Sequence, residues 1–282
     1  MQTVTFQPIA PWLYCCRWLP QRLPGRGRLI RAILRLAAPT GPVEIRAGKL
    51  TFQAPSLQEP VAAHLLADGM YDPATCAAIQ RVLSQDGTFL DVGANIGAMG
   101  LWAAATCCPQ GRVFGFEASP RIFRYLAQNA ERNGIANFTP LNRAVTAKDD
   151  DMLAFFDAPE AKFGMGSLAN RFGGSGVEVP TTTLDGIAAS HDLNRVEVIK
   201  VDVEGFELGV FQGSLRLLHQ TPAPVIIFEF NDWAENRPEM GIAPGAAQKF
   251  LLEQGYRLQS VKAFLAGESA GTRVLTQGEQ TS

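Results

Sequence analysis

TFLDVGANIG, residues 88–97, joins a short apolar strand to a glycine-bearing loop and then to an alanine-rich helix over 97–107. An apolar run of this length that passes at once into helix reads as a strand buried on both faces of a parallel sheet. The alternation continues outward in both directions. RVFGFE (112–117) is a second strand, followed by a helix from Pro120 to about Asn133, and FTPLNRAV (138–145) is a third. The β-branched run VEVIKVD (196–202) is a fourth and VIIFEF (225–230) a fifth, with helices over 207–219 and 244–254. Segments 256–262 and 272–277 read as a final antiparallel pair. Upstream, Asp72 and Pro73 open a helix over 73–84, and VEIRAGKLTFQ (43–53) alternates about Gly48 as a β-hairpin. Strands and helices in this order predict a Rossmann-like α/β fold with helices on both faces of the sheet.

Ligands in such a sheet bind beyond the carboxyl ends of the strands. Gly93 and Gly97 let the loop turn sharply and approach a ligand, and Asp91 can accept hydrogen bonds from a cationic amine. The dinucleotide fingerprint G-x-G-x-x-G would need glycine where Asn95 stands, which disfavours a nicotinamide-dependent oxidoreductase. An acid beside a bulkier loop residue suits a ligand with an amino acid moiety and no phosphates. Glu117, 24 residues after Gly93, ends the second strand where ribose hydroxyls are bound in related folds. Taken singly, such a loop is often only a capped turn and a strand-ending glutamate only a solvated terminus. Their order and spacing together point to a nucleoside site.

FLDVGANIG (89–97), FGFEASP (114–120), LNRAV (141–145), TTLD (182–185) and IKVDVEGFE (199–207) together resemble the FkbM family of methyltransferases, over roughly residues 68–232. The resemblance implies a class I methyltransferase fold, a seven-stranded, mostly parallel sheet whose last strand is antiparallel. It implies S-adenosylmethionine as cofactor and a hydroxyl of a sugar, glycan or natural product as acceptor. Asp91, Gly93, Asn95 and Gly97 would then line the methionine half of the cofactor, with Asp202 beside them, and Glu117 would hold its ribose. Asn142, Arg143 and Ala144 would flank the adenine. The family's usual asparagine or proline after that glutamate is here Ala118-Ser119-Pro120, a departure confined to the start of the next helix. The chain divides on this view into a basic N-terminal extension, 1–67, and a methyltransferase domain, 68–282. A non-catalytic protein that binds a nucleoside cofactor is the competing reading.

Methyl transfer from a sulfonium is an in-line displacement that depends on holding nucleophile and methyl in line, and a base helps a hydroxyl nucleophile. Asp202 and Glu204 stand at the end of the fourth strand, beside the first, and are the candidate catalytic acids; Lys200 shares their side by strand alternation. The alternative is that the two acids cap the following helix. Glu229, Asn231 and Asp232 end the fifth strand and offer oxygen ligands to a divalent cation, but the spacing does not demand one and no metal is predicted. His64, His191 and His219 are scattered away from these loops, and Ser167 of GMGS (164–167) borders either the acceptor pocket or a plain connection.

A formal net charge of −2 over 282 residues argues against a whole-domain grip on nucleic acid. Residues 1–40 nonetheless carry six arginines and no acid, and RLIRAILRLA (28–37) places its apolar residues at helical spacing. Such a turn either packs on the main domain or makes peripheral contact with an anionic membrane. Five cysteines without any C-x-x-C suggest free thiols in a reducing compartment, and no signal peptide or 18-residue apolar span is visible, so the expected location is cytoplasmic. No motif specifies the acceptor or an oligomeric state.

Overall fold

In the computed structural model, which describes residues 5–20, 22–37, 39–159, 163–170, 173–229, 243, 245–267 and 273–277, the N-terminal segment builds a small sheet. Strand β1 (Gln7–Pro8) pairs parallel with β2 (Val43–Ala47), which forms the expected hairpin with β3 (Leu50–Ala54) about Gly48. A 3-10 helix (Pro11–Trp18) and α1 (Arg26–Ala37) lie between β1 and β2. Helix α2 (Pro60–Asp68) follows, its first turn capped by the Glu59 carboxylate on Ala62 N (2.6 Å). Asp72 caps α3 (Pro73–Val82) through Thr75 N at 3.1 Å, with Pro73 at its first position as predicted.

The rest of the chain runs β4 (Thr88–Val92), α4 (Ala98–Thr106), β5 (Arg112–Phe116), α5 (Pro120–Asn133), β6 (Phe138–Leu141), β7 (Ala144–Val145), β8 (Met152–Phe155), β9 (Val177–Thr182), α6 (Leu184–Ser190), β10 (Val198–Val201), α7 (Glu207–Gln212), α8 (Leu215–Leu218), β11 (Val225–Glu229), α9 (Ala246–Glu253), β12 (Arg257–Ser260), α10 (Val261–Leu265) and β13 (Arg273–Gln277). The main sheet has the order β12-β13-β11-β10-β4-β5-β6, and β7, β9 and β8 form a separate small sheet. Strand β4 sits where the strand order reverses, between β5 on one side and β10 on the other, which is the switch point that opens a crevice at its carboxyl end. Pro140, unable to donate to a ladder, is tolerated because β6 is an edge strand.

Three sequence expectations change. The last pair is parallel, not antiparallel: β12 runs parallel to β13 and β13 parallel to β11. Helix α10, capped by Ser260 on Ala263 N, turns what reads as a hairpin into a crossover, the connection parallel strands need. The third strand stops at Leu141, because the Asn142 amide donates to the carbonyls of Glu117 (2.8 Å) and Ala118 (3.1 Å) and turns the chain out to pair with β9. The helix over 207–219 breaks at Gly213, where a Cβ would lie 2.1 Å from the Thr146 carbonyl.

Alternation along β4 and β10 sends neighbouring side chains to two cores. Phe89 and Val198 join one that continues through Leu65 and Phe52 to Leu13 and Leu34 of the extension. Leu90, Val92, Ile199 and Val201 join the other, beneath Leu184, Phe211 and Leu251. Each such buried side chain contributes roughly 1.5–3 kcal/mol. Asp91 and Lys200 share the parity of Phe89 and Val198, and the register pairs them directly, so one face of the sheet carries two buried charges at the crevice.

Candidate functional site

The loop after β4 is shaped by close backbone contacts. Gly93 (φ +76°) lies so near the loop after β10 that a Cβ would meet the Asp202 carbonyl at 1.8 Å, so any side chain would force the two loops apart. Asn95 takes the left-handed conformation (φ +51°), steadied by its own Oδ1, which accepts from Ile96 N at 2.7 Å. This conformation directs Asn95 N to Glu117 Oε2 (3.0 Å), while Ser119 N donates to Glu117 Oε1 (2.9 Å). Burial pushes the Glu117 carboxyl up to about 7 although these two donors favour its charge.

Lys200 is almost fully buried and ties the two loops together. Its Nζ lies 3.6 Å from Asp91 Oδ1 and 3.4 Å from Asp202 Oδ2, and donates to Gly93 O at 3.1 Å. Burial alone would lower the Lys200 pKa, but the Asp202 and Asp91 carboxylates outweigh it and raise it, so the ammonium stays charged. Asp91 is wholly buried, and neither oxygen makes a close hydrogen bond; the Lys200 ammonium at 3.6 Å and the Gly100 N–H support its charge only at longer range. Burial raises its pKa, with the Lys200 ammonium pulling it back. Two carboxylates, Asp91 and Asp202, thus share the one Lys200 ammonium at the wall of a cavity, an arrangement that suits a cationic ligand group.

That cavity, about 300 Å³, opens at the carboxyl ends of β4, β5 and β10. Asp91, Gly93, Asn95 and Glu117 line it, as do Arg143 and Ala144, and Asp202 and Glu204 join them from the loop after β10. Gly97 and Asn142 lie outside its wall. Gly97 (φ +88°) serves helix packing, since a Cβ there would meet Leu126 Cδ1 at 2.7 Å, and Asn142 spends its amide on the turn already described.

The N-cap of α7 is Phe206, which makes no side-chain hydrogen bond, while Asp202 is held by Lys200 and both Asp202 and Glu204 line the cavity. Glu207 closes that loop, accepting from Gly205 N at 3.1 Å. Glu229 reaches the same cavity, and partial burial together with the Asp202 and Glu204 charges pushes its carboxyl up to about 7. Tyr71 and Glu59 also line the wall, and neither is legible from the sequence; their only signal is the capped helices they precede. Ser167 is buried behind the wall, its hydroxyl donating to Glu204 O (3.3 Å), while Gly164, Met165 and Gly166 face the cavity.

No histidine lines the cavity: His191 packs on Phe114 and His64 contacts Asp68 at 3.2 Å. Among the described residues no group of three or more His, Cys, Asp or Glu is arranged to hold a metal; Asn231 and Asp232 lie outside the described residues. The cavity fits S-adenosylmethionine in its chemistry, because Asp91, which shares the Lys200 ammonium with Asp202, suits an ammonium and the preorganised Glu117 carboxylate suits a diol.

The methyltransferase FkbM domain matches residues 91–258. A hexuronic acid methyltransferase, AglP of Haloferax volcanii, is 30% identical over 134 residues, covering 48% of this chain and 52% of that protein, so the match spans about half the relative's length. Similar solved structures include a precorrin-6y C5,15-methyltransferase from Geobacter metallireducens GS-15, at 15% identity, 65% and 71% coverage of the two chains and a TM-score of 0.39. Another is TYW2 of M. jannaschii in complex with AdoMet, at 16% identity, 36% and 43% coverage and a TM-score of 0.28.

Proposed function

The chain belongs to the FkbM methyltransferase family, and from that premise we propose that it transfers a methyl group from S-adenosylmethionine to a hydroxyl of a sugar or glycan. One observation carries the reading: a single cavity is lined by a wholly buried carboxylate, Asp91, by a preorganised one, Glu117, and by a cluster of acids, Asp202, Glu204 and Glu229. The first pair suits the amino acid and ribose ends of the cofactor. The cluster suits an acceptor hydroxyl.

When bound, S-adenosylmethionine supplies an electrophilic methyl group on a sulfonium. The chain's own residues do the rest. Asp91 and Asp202, both held by Lys200, fix one rim of the cavity, and Arg143 and Ala144 bound the side where the base would lie. Asp202 Oδ accepts the proton of the acceptor hydroxyl as the nucleophile forms. Glu229, whose carboxyl sits near 7 beside Asp202, takes up or shares that proton and passes it to solvent. Lys200 keeps Asp202 oriented and electrostatically supported throughout. That the Haloferax relative is a hexuronic acid methyltransferase favours an acidic sugar as acceptor.

The test is transfer of label from radiolabelled S-adenosylmethionine to a panel of glycans with and without hexuronic acid. Label on hydroxyl positions of the uronic acid members supports the proposal. Cofactor binding without transfer to any member would favour a non-catalytic protein.

A further inference from the structure

Exposed apolar side chains are not spread evenly over this molecule. Half of the large ones that stand exposed among the described residues are Trp12, Trp18, Leu23, Leu29 and Leu36, all in the 3-10 helix, α1 and the connection between them. Trp18 and Leu36 are the most exposed of all, at 82% and 90%. Residues three apart eclipse in a 3-10 helix, so Trp12, Cys15 and Trp18 form one outer edge while Leu13 and Cys16 face the core. On α1, Ile30 and Leu34 are buried; Leu29 and Leu36, seven apart, share an outer stripe, and exposed Arg28, Arg31 and Arg35 form the stripe beside it.

The structure divides the six arginines of this segment into two sets. Arg17 donates to the carbonyls of Leu65 and Leu66, and Arg26 pairs with Asp68 at 2.7 Å and donates to Ala67 O. Those two fasten the segment to the end of α2. Arg22, Arg28, Arg31 and Arg35 are left exposed, and the first acid in the sequence is Glu44.

We propose that this surface docks on an anionic phospholipid bilayer, with the tryptophans and leucines at the acyl boundary and the four free arginines among the headgroups. Aromatic and aliphatic groups flanked by arginine, on a helix otherwise packed to its domain, match an interfacial surface. A second copy of the chain is a poor occupant, because face-to-face pairing would set arginines against arginines. No helix among the described residues is long and apolar enough to cross a membrane, so the contact is peripheral. Helix α2 links this surface to the cavity: its far end holds Arg17 and Arg26, and Pro60 and Val61 at its start line the cavity wall, about 13 Å away along the helix. On the proposed transferase reading, the docked enzyme would meet acceptors carried at a membrane surface.

Co-sedimentation of the full chain with vesicles tests this, using phosphatidylcholine alone and phosphatidylcholine with about 30 mol % phosphatidylserine at low salt. The expected result is binding to the mixed vesicles only. The Arg28→Gln/Arg31→Gln/Arg35→Gln triple variant should lose on the order of 100-fold in partitioning, and Trp18→Ser with Leu36→Ser on the order of 10-fold. Circular dichroism checks that these surface variants fold, and none of them touches the cavity. Wild-type protein left in the supernatant with anionic vesicles would overturn the proposal. So would a triple variant that binds as well as wild type, or concentration-dependent dimerisation that Trp18→Ser abolishes without any vesicle binding.

Discussion

Asp202 is the residue on which the proposed chemistry turns, and its surroundings separate a base from a strut. It is held by the buried Lys200 ammonium and lines the cavity. Asp202→Asn keeps shape and removes charge, so turnover should fall about 10²–10⁴-fold with little change in cofactor affinity. Equal kcat in variant and wild type, measured with a responsive acceptor, would remove Asp202 from the chemistry. Glu117 makes a different prediction. Its carboxyl is pushed up to about 7, and a ligand diol would hydrogen-bond the ionised form, so S-adenosylhomocysteine affinity should rise as pH rises from about 6 to 8 and level off above. Glu117→Gln should flatten that dependence. An affinity that instead falls over this range would place the ligand's hydroxyls elsewhere.

At the scale of elements, two asparagines one helical turn apart on α5 clip the N-terminal hairpin to the core. Asn129 accepts from Gln53 N (2.7 Å) and donates to Gln53 O (3.1 Å) and Ile96 O (2.8 Å), and Asn133 makes the matching pair with Thr51. Asn129→Leu strands those backbone groups and should cost roughly 2–4 kcal/mol in denaturant unfolding. Because Ile96 belongs to the loop after β4, cofactor affinity should fall with it; a variant as stable as wild type would contradict this role. The loop itself was legible in the sequence, since Asp91, Gly93 and Asn95 are local features of one strand end. So was Glu117, at the end of the neighbouring strand. Gly97 was legible as a necessary glycine but for a different reason, the approach of Leu126 from α5, which is distant in sequence. The parallel closing pair was hidden because α10 is only five residues long, too short to show helical periodicity. Tyr71 and Glu59 reach the cavity only through the packing of helices before β4, so no local pattern announces them.

Across the whole molecule, three glutamates, Glu59, Glu117 and Glu207, are buried and pushed from an ordinary value near 4.5 up to about 7, burial being the main cause in each. Between those values the folded chain binds more protons than the unfolded chain, so stability falls as pH rises from about 4.5 to 7 and levels off above. The Tm of the ligand-free protein should therefore be lower at pH 8 than at pH 6, and a rise across that interval would contradict the burial of these acids. Two of them, Glu59 and Glu117, stand at the cavity wall, where buried acids are costly unless a ligand offsets them. Titration calorimetry of S-adenosylhomocysteine and of NAD into the wild-type chain and Glu117→Ala decides whether this cavity is a methyl-donor site. The expected result is micromolar-scale binding of S-adenosylhomocysteine, none of NAD, and a loss of about 1–3 kcal/mol in Glu117→Ala. Binding of NAD in preference, or S-adenosylhomocysteine bound equally by wild type and Glu117→Ala, would contradict it.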